Sequence, residues 1–193
     1  MATLLWDQEK FYDSIDIAKL VKKAIEMEYP AKCLWLGLQM HMAPRIIKCR
    51  DAYSMAKLPS NGIIAGCTQS NTFARIRLHS IMEAQYNAPR HDGEERLIRQ
   101  YVDDIRQSFA HRSKVRAIQI ATSMGSILAG DCIGTGCRIS NKSVVISNAD
   151  CVAKGVVHGL RRRGITVKSA RIAKDLGVAT TAGRSRAIRL LRQ

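Results

Sequence analysis

Apolar residues recur along the chain with either strand-like or helical spacing. The apolar run Thr3–Trp6 predicts a buried strand that ends at the carboxylate Asp7. Asp16 is well placed to cap a helix, because apolar residues follow it at helical intervals as far as Pro30. The face that this helix is predicted to bury consists of Ile17, Leu20, Val21, Ala24 and Ile25.

The next segment predicts a second helix, a pair of short strands and a long helix. The second helix is expected from Ala31 to about Met40, and paired strands at Pro44–Cys49 and Ala52–Lys57. Residues Gly62–Gly66 predict a glycine-flanked loop, and a long helix is expected to begin at Thr68 or Ser70.

Two β-prone runs follow, Leu97–Val102 and Ile105–Ala110, with only Asp103 and Asp104 between them. This pattern predicts a hairpin with two acidic residues at its tip.

The last third predicts a helix from Ser113 to about Leu128, a glycine-rich connection, a strand at Val144–Ile146 and a helix from Asp150 to about Arg162. Helices interspersed with strands that adjoin through turns predict an α+β fold with a mostly antiparallel sheet.

Charge narrows the choice of partners. The 31 Lys and Arg residues exceed the 16 Asp and Glu residues and give a formal charge of +15, which favours nucleic acid as a partner. No apolar run is long enough to cross a bilayer and no basic block adjoins an apolar span, so no membrane partner is expected. The six cysteines are dispersed without metal-ligand spacing, and we expect an intracellular protein with reduced thiols.

The three aspartates suggest one kind of chemistry. Nucleotidyl transfer needs carboxylates that hold two divalent ions at one point, and strand-ending acids on neighbouring strands can supply them. If the predicted strand Thr3–Trp6 and the predicted hairpin are neighbours in one sheet, Asp7, Asp103 and Asp104 come together at one point. The alternative is that Asp103 and Asp104 form a solvated turn and Asp7 is a cap.

Three segments resemble one family in the same order. Trp6–Asp13, with an aromatic residue five positions after Asp7, resembles the first catalytic motif of reverse transcriptases of non-LTR retrotransposons and group II introns. Tyr101–Asp104 (Tyr-Val-Asp-Asp) is similar to their Tyr-x-Asp-Asp motif, and Gly62–Ser70 resembles their glycine-rich motif.

The resemblance implies roles for individual residues. Asp7, Asp103 and Asp104 are implied to be catalytic ligands of two Mg²⁺ ions, for which Mn²⁺ is a possible substitute. Tyr12 is implied to lie under the incoming sugar and to exclude a 2′-hydroxyl.

The resemblance also extends to a nucleotide-binding loop and to segments nearer the C-terminus. Ala65 and Gly66 are implied to contact the nucleotide. Arg138–Ser143 resembles the family's Asn-x-x-Lys segment with a compressed spacing, and its Lys142 is a candidate proton donor to pyrophosphate, the alternative being an ordinary solvated lysine. Asp175–Val178 resembles the Leu-Gly element of the primer grip.

The implied fold is a polymerase palm over residues 1–147, followed at 148–193 by the palm–thumb connection and a partial basic thumb, with the fingers missing. The implied activity is that of a retroelement RNA-directed DNA polymerase fragment, which adds dNTPs to a DNA primer on an RNA template. An inactive nucleic-acid-binding remnant is one alternative, because Ala65 and Thr68 stand where the family usually has Gln and Pro. An RNA-dependent RNA polymerase is another, which Tyr12 disfavours.

Overall fold

The structure is a computed structural model that describes residues 1–175 and 178–181. It divides into two compact units, the first formed by Met1–Glu9 and the chain from Ser80 onward, the second by Lys10–His79. The chain passes from one unit to the other after Glu9 and again after His79, and the second of these points lies within the helix Thr68–Asn87. The strands are β1 Ala2–Trp6, β2 Gln8–Glu9, β3 Lys48–Cys49, β4 Ala52–Tyr53, β5 Glu95–Tyr101, β6 Asp104–Ala110, β7 Arg138–Ile139, β8 Val144–Ser147, β9 Lys168–Ala170, β10 Ile172–Asp175 and β11 Val178–Thr181. The α-helices are α1 Ile17–Glu26, α2 Ala31–Met42, α3 Thr68–Asn87, α4 Lys114–Gly134 and α5 Asp150–Arg161, and a short 3-10 turn covers Tyr12–Ser14.

The first unit is built on a five-stranded sheet with the order β5-β6-β1-β8-β9. The central strand β1 runs antiparallel to both neighbours, with Trp6 opposite Ile105 of β6 and Leu5 opposite Val144 of β8. Only the β8–β9 pair is parallel. The predicted α+β fold with a mostly antiparallel sheet is therefore confirmed.

Helices α4 and α5 pack on one face of this sheet. Their contact with β1 is close at Gly125, where a Cβ atom would lie 2.8 Å from Leu4 Cδ2 and 3.2 Å from Trp6 Cζ2. Because successive side chains in a strand point to opposite faces, Leu4 and Trp6 face the helices, and Leu5 and Asp7 face the other way.

A buried chain of side-chain hydrogen bonds joins β1 and β6 to α3. Trp6 Nε1 donates to Gln107 Oε1 at 2.8 Å, and Gln107 Nε2 donates to Gln85 Oε1 at 2.8 Å. All three side chains are almost inaccessible to solvent. In a low-dielectric interior, bonds of this kind favour one arrangement of the strands over others, and within the described residues Gln85 Nε2 is the one amide nitrogen of these hydrogen-bonded side chains left without a partner.

The C-terminus of α3 is closed by a buried ion pair. Arg96 Nε donates to Glu94 Oε1 at 2.6 Å, and both side chains are buried, with 2% and 0% of their surface exposed. The guanidinium also donates to the carbonyl oxygens of Gln85, Ala88 and Pro89 at 3.2, 3.1 and 3.0 Å. It thus satisfies carbonyls that a helix end leaves without partners.

The second unit contains α1, α2, the β3–β4 hairpin and the first part of α3. Asp16 caps α1 as predicted, since its Oδ1 accepts from Lys19 N at 3.0 Å. Leu20 and Ala24 of the predicted apolar face are buried. The assignment of Ile25 to that face is wrong, because its side chain is 66% exposed.

Other element boundaries differ from prediction. The pair β3–β4 is shorter than expected and is extended only by an isolated bridge between Arg45 and Lys57. Helix α4 continues through Gly130 to Gly134, because its buried face continues to Cys132 and packing outweighs the low helix propensity of glycine.

Some of the predicted segments lie wholly or partly outside the described residues. Leu176 and Gly177 of the predicted primer-grip element lie outside the described residues, as do the basic residues Arg184, Arg186, Arg189 and Arg192. Within the described ranges, no helix combines the length and apolarity needed to cross a membrane.

Candidate active site

The predicted carboxylates lie where β1 meets the β5–β6 hairpin. The last cross-strand pair of β1 and β6 is Trp6 with Ile105. One residue further, the same register sets Asp7 opposite Asp104 on the sheet face away from α4 and α5. The strand adjacency that the sequence left open is thus present.

The tip of the hairpin is a two-residue turn. Asp104 is the first residue of β6 and pairs with Tyr101, so the turn consists of Val102 and Asp103 and not of the two acids as predicted. Val102 has a positive φ of 56°, which is costly for a β-branched residue. A left-handed first turn residue is typical of the type II′ turns that suit the twist of a hairpin. Strain of this kind, about 1–3 kcal/mol, is concentrated at functional sites.

Asp7 and Asp103 interact electrostatically. Burial raises the pKa of Asp103 above its ordinary value, and the negative charge of Asp7 raises it further. Both side chains are half-buried. Among the described residues, neither forms an ion pair with Lys, Arg or His. The pair is therefore a local excess of negative charge in a strongly basic chain.

This pair suits a divalent cation in part. Across residues 1–175 and 178–181, no three His, Cys, Asp or Glu side chains come together as a metal-binding group, so Asp104 does not complete one with Asp7 and Asp103. Magnesium, however, commonly binds one or two carboxylates and takes its other ligands from water and substrate phosphates. The donor set present fits that mode of binding.

Two buried polar side chains hold the backbone on which these carboxylates are mounted. Gln8 Nε2 donates to the carbonyl oxygen of Asp103 at 3.3 Å. Ser143 Oγ accepts from Asp7 N at 3.1 Å and donates to Asp7 O at 3.3 Å. The same carbonyl also accepts from Ser140 N at 2.8 Å.

Lys142 lies in the turn that provides those serine contacts. Its backbone N–H donates to Ser140 Oγ at 3.1 Å, and its side chain is exposed. The turn is therefore anchored to the strand end at Asp7, which brings Lys142 to the neighbourhood of the carboxylates. Its proposed role in proton donation stays a prediction.

The candidate nucleotide-binding residues belong to the second unit. The carbonyl oxygen of Tyr12 accepts from Ile63 N at 2.9 Å, which joins the residue to the start of the glycine loop. Gly62 has a φ of +85°, and a Cβ there would lie 2.9 Å from Asp13 Cα. Only glycine fits this contact.

The far end of the loop has a different environment. Gly66 also has a positive φ, of +84°, but a Cβ there would have no neighbour within 4 Å in the described part of the chain. Ala65 and Gly66 are both exposed. The loop thus presents open space at the two residues that were predicted to contact a nucleotide.

Two buried side chains fix the middle of this loop. His41 Nδ1 accepts from Ile64 N at 3.0 Å, and Ser70 Oγ donates to Ile64 O. Burial lowers the pKa of His41, and the positive charge of Arg45 lowers it further, which keeps Nδ1 available as an acceptor. No role was predicted for His41, because its contact is with a backbone amide that carries no sequence signal.

The sheet face that carries Asp7 is also basic. The cross-strand pairs Arg99 with Arg106 and Val144 with Lys168 place three cationic side chains on that face. Tyr101 is opposite Asp104 and is 64% exposed. Cations and an aromatic ring around a carboxylate pair suit a phosphate-containing polymer.

The chain matches no family model, and no curated protein is significantly similar to it. Its assignment therefore depends on its own residues and their geometry.

Proposed function

We propose that this chain is the palm region of a reverse-transcriptase-type nucleotidyltransferase, in which Asp7 and Asp103 with Asp104 hold two Mg²⁺ ions. The observation that carries the proposal is the placement of Asp7, which directly follows β1, beside Asp103 in the turn of the adjacent hairpin, with mutual repulsion and no cationic partner among the described residues. The basic sheet face around them supports a nucleic-acid substrate.

In this proposal Asp7, Asp103 and Asp104 would hold the ions, which would supply activation of the primer 3′-hydroxyl and charge stabilisation for the leaving pyrophosphate. The side chains of Arg99, Arg106 and Lys168 bind backbone phosphates of the RNA template and DNA primer. Lys142 donates a proton to pyrophosphate. Tyr12 excludes a ribose 2′-hydroxyl, while the exposed backbone at Ala65 and Gly66 contacts the dNTP.

A second candidate is a nucleic-acid-binding remnant without turnover. Ala65 and Thr68 favour it, since they replace the Gln and Pro that the resemblance leads one to expect. Such a remnant keeps the basic face and loses nucleotide positioning.

Primer extension separates the two candidates. The full chain is incubated with an RNA template, a DNA primer, dNTPs and Mg²⁺ or Mn²⁺, together with Asp103→Ala and the control Asp92→Asn, an exposed acid at the other end of the hairpin. We expect extension by wild type and Asp92→Asn, and a loss of at least about 100-fold in Asp103→Ala. Salt-dependent binding without extension by wild type supports the remnant. Extension with ribonucleotides alone supports an RNA polymerase.

Tyr12→Ala tests the assignment of the sugar-contacting residue. An active variant should incorporate ribonucleotides more readily relative to deoxynucleotides, because the bulky ring is gone. An active variant with unchanged sugar selection refutes the role of Tyr12.

A further inference from the structure

The contacts of Gln8 and Ser143 point to a function that the catalytic motifs do not contain. Gln8 is 5% exposed and lies on the opposite side of β-strand backbone from Asp7. Ser143 is fully buried. Neither side chain is therefore available to a substrate, and both act on backbone atoms of the residues that bear the carboxylates.

The two contacts constrain different parts of the pair. Ser143 bonds both the N–H and the carbonyl of Asp7, which fixes the peptide planes on either side of that residue. Gln8 bonds the carbonyl of Asp103 within a turn that is strained at Val102. Since Gln8 directly follows Asp7, it ties the hairpin tip to the chain that carries the other carboxylate.

The cost of Gln8 argues for such a role. Its Oε1 is buried and has no hydrogen-bond partner among the residues that the structure describes, an arrangement that destabilises the fold. An apolar residue of the same size would avoid that loss. A buried amide that bonds Asp103 with one atom and leaves the other unsatisfied is expected where position matters more than stability.

We propose that Gln8 and Ser143 are positioning residues, which set the separation and orientation of the Asp7 and Asp103 carboxylates for divalent-cation binding. The inference depends on the proposed function as far as the cation is concerned. Residues that orient metal ligands typically change metal affinity about 10- to 100-fold when they are removed.

The test uses Mn²⁺ binding to the full chain, followed by electron paramagnetic resonance. Gln8→Met and Ser143→Ala remove the two side-chain groups. Gln107→Met and Ser147→Ala are matched controls, because they remove a buried amide and a buried serine hydroxyl that bond elsewhere in the same sheet. We expect Mn²⁺ affinity to fall at least about tenfold in the first pair and to stay within about twofold in the controls, whatever the change in melting temperature of each variant. Equal effects in both pairs, or wild-type affinity in Gln8→Met and Ser143→Ala, overturn the proposal.

Amide hydrogen exchange tests the positioning role of Gln8 without any metal ion, and so independently of the proposed function. If wild type binds no Mn²⁺, the proposed function fails, but positioning is still decided without metal. Exchange of residues 101–104 should then accelerate in Gln8→Met and not in Gln107→Met, when each is compared at equal distance from its melting temperature. Unchanged exchange in Gln8→Met overturns the positioning role.

Discussion

Gly125 of α4 provides a sharp test of how β1 is held. A Cβ at this position would lie 2.8 Å from Leu4 Cδ2, 3.2 Å from Trp6 Cζ2 and 3.5 Å from Leu160 Cδ2. In the same helix, Gly130 is exposed, and among residues 1–175 and 178–181 a Cβ there would have no neighbour within 4 Å. The substitutions Gly125→Ala and Gly130→Ala thus differ in their surroundings but not in secondary structure.

Two terms determine the expected result. Replacing glycine by alanine within a helix stabilises it by about 1 kcal/mol, and this gain applies to both variants. Overpacking a well-filled core costs about 1–3 kcal/mol, and this loss applies to Gly125→Ala alone, since the Trp6 ring cannot give way easily. We expect Gly130→Ala to be more stable than wild type and Gly125→Ala to be less stable than Gly130→Ala by about 1–3 kcal/mol.

Thermal unfolding followed by circular dichroism measures the difference. For a chain of this size, 1 kcal/mol corresponds to about 2–4 °C, so the two melting temperatures should differ by roughly 2–12 °C. Equal stabilisation by both substitutions refutes the close packing of α4 on β1.

Three further results are expected. Burial raises the pKa of Asp103, so its carboxyl favours the folded state below the ordinary Asp pKa of about 3.9, and this stability is lost as pH rises through the folded pKa. Asp103→Asn should therefore need more urea to unfold than wild type at pH 7 but not at pH 3. A variant less stable than wild type at pH 7 contradicts this. Burial lowers the pKa of His41, so the stability that this side chain contributes is complete above about pH 6.5 and is lost as pH falls through the folded pKa. Between pH 7 and 5, the urea concentration at the unfolding midpoint should change less for His41→Gln than for wild type or for the exposed control His158→Gln. Equal pH dependence in all three proteins contradicts the lowered pKa of His41. Arg96→Met breaks the buried ion pair with Glu94 and should lower the free energy of unfolding by about 3–5 kcal/mol. Lys154→Met removes an exposed ion pair with Asp150 and should leave the free energy of unfolding unchanged. Similar losses in the two variants contradict a stabilising role for the buried pair.

Local signals in the sequence were sufficient for several elements. Asp16 caps α1 as expected, because a cap depends on a residue and the N–H groups that directly follow it. The β5–β6 hairpin was predicted from two β-prone runs with a short polar link. The end of α4 was not, because Gly130 is a weak helix former and the burial that overrides it comes from the rest of the fold.

The candidate site divides in the same way. The aspartates carry recognisable motifs and could be proposed from sequence. Gln8 and Ser143 could not, since their bonds reach residues 95 and 136 positions away. A glutamine or serine in a short strand or turn gives no indication of such a distant backbone partner.

The central position of β1 has a consequence for how the chain folds during synthesis. This apolar strand is synthesised before its neighbours β6 and β8, which begin at Asp104 and Val144. At about 5–20 residues per second, roughly 100 residues of translation leave both edges of β1 unpaired for about 5–20 s. Contacts between such distant segments also make folding slow. The strand β1, which Asp7 directly follows, is therefore open to aggregation in the nascent chain, and its early protection by a chaperone should raise the yield of folded protein.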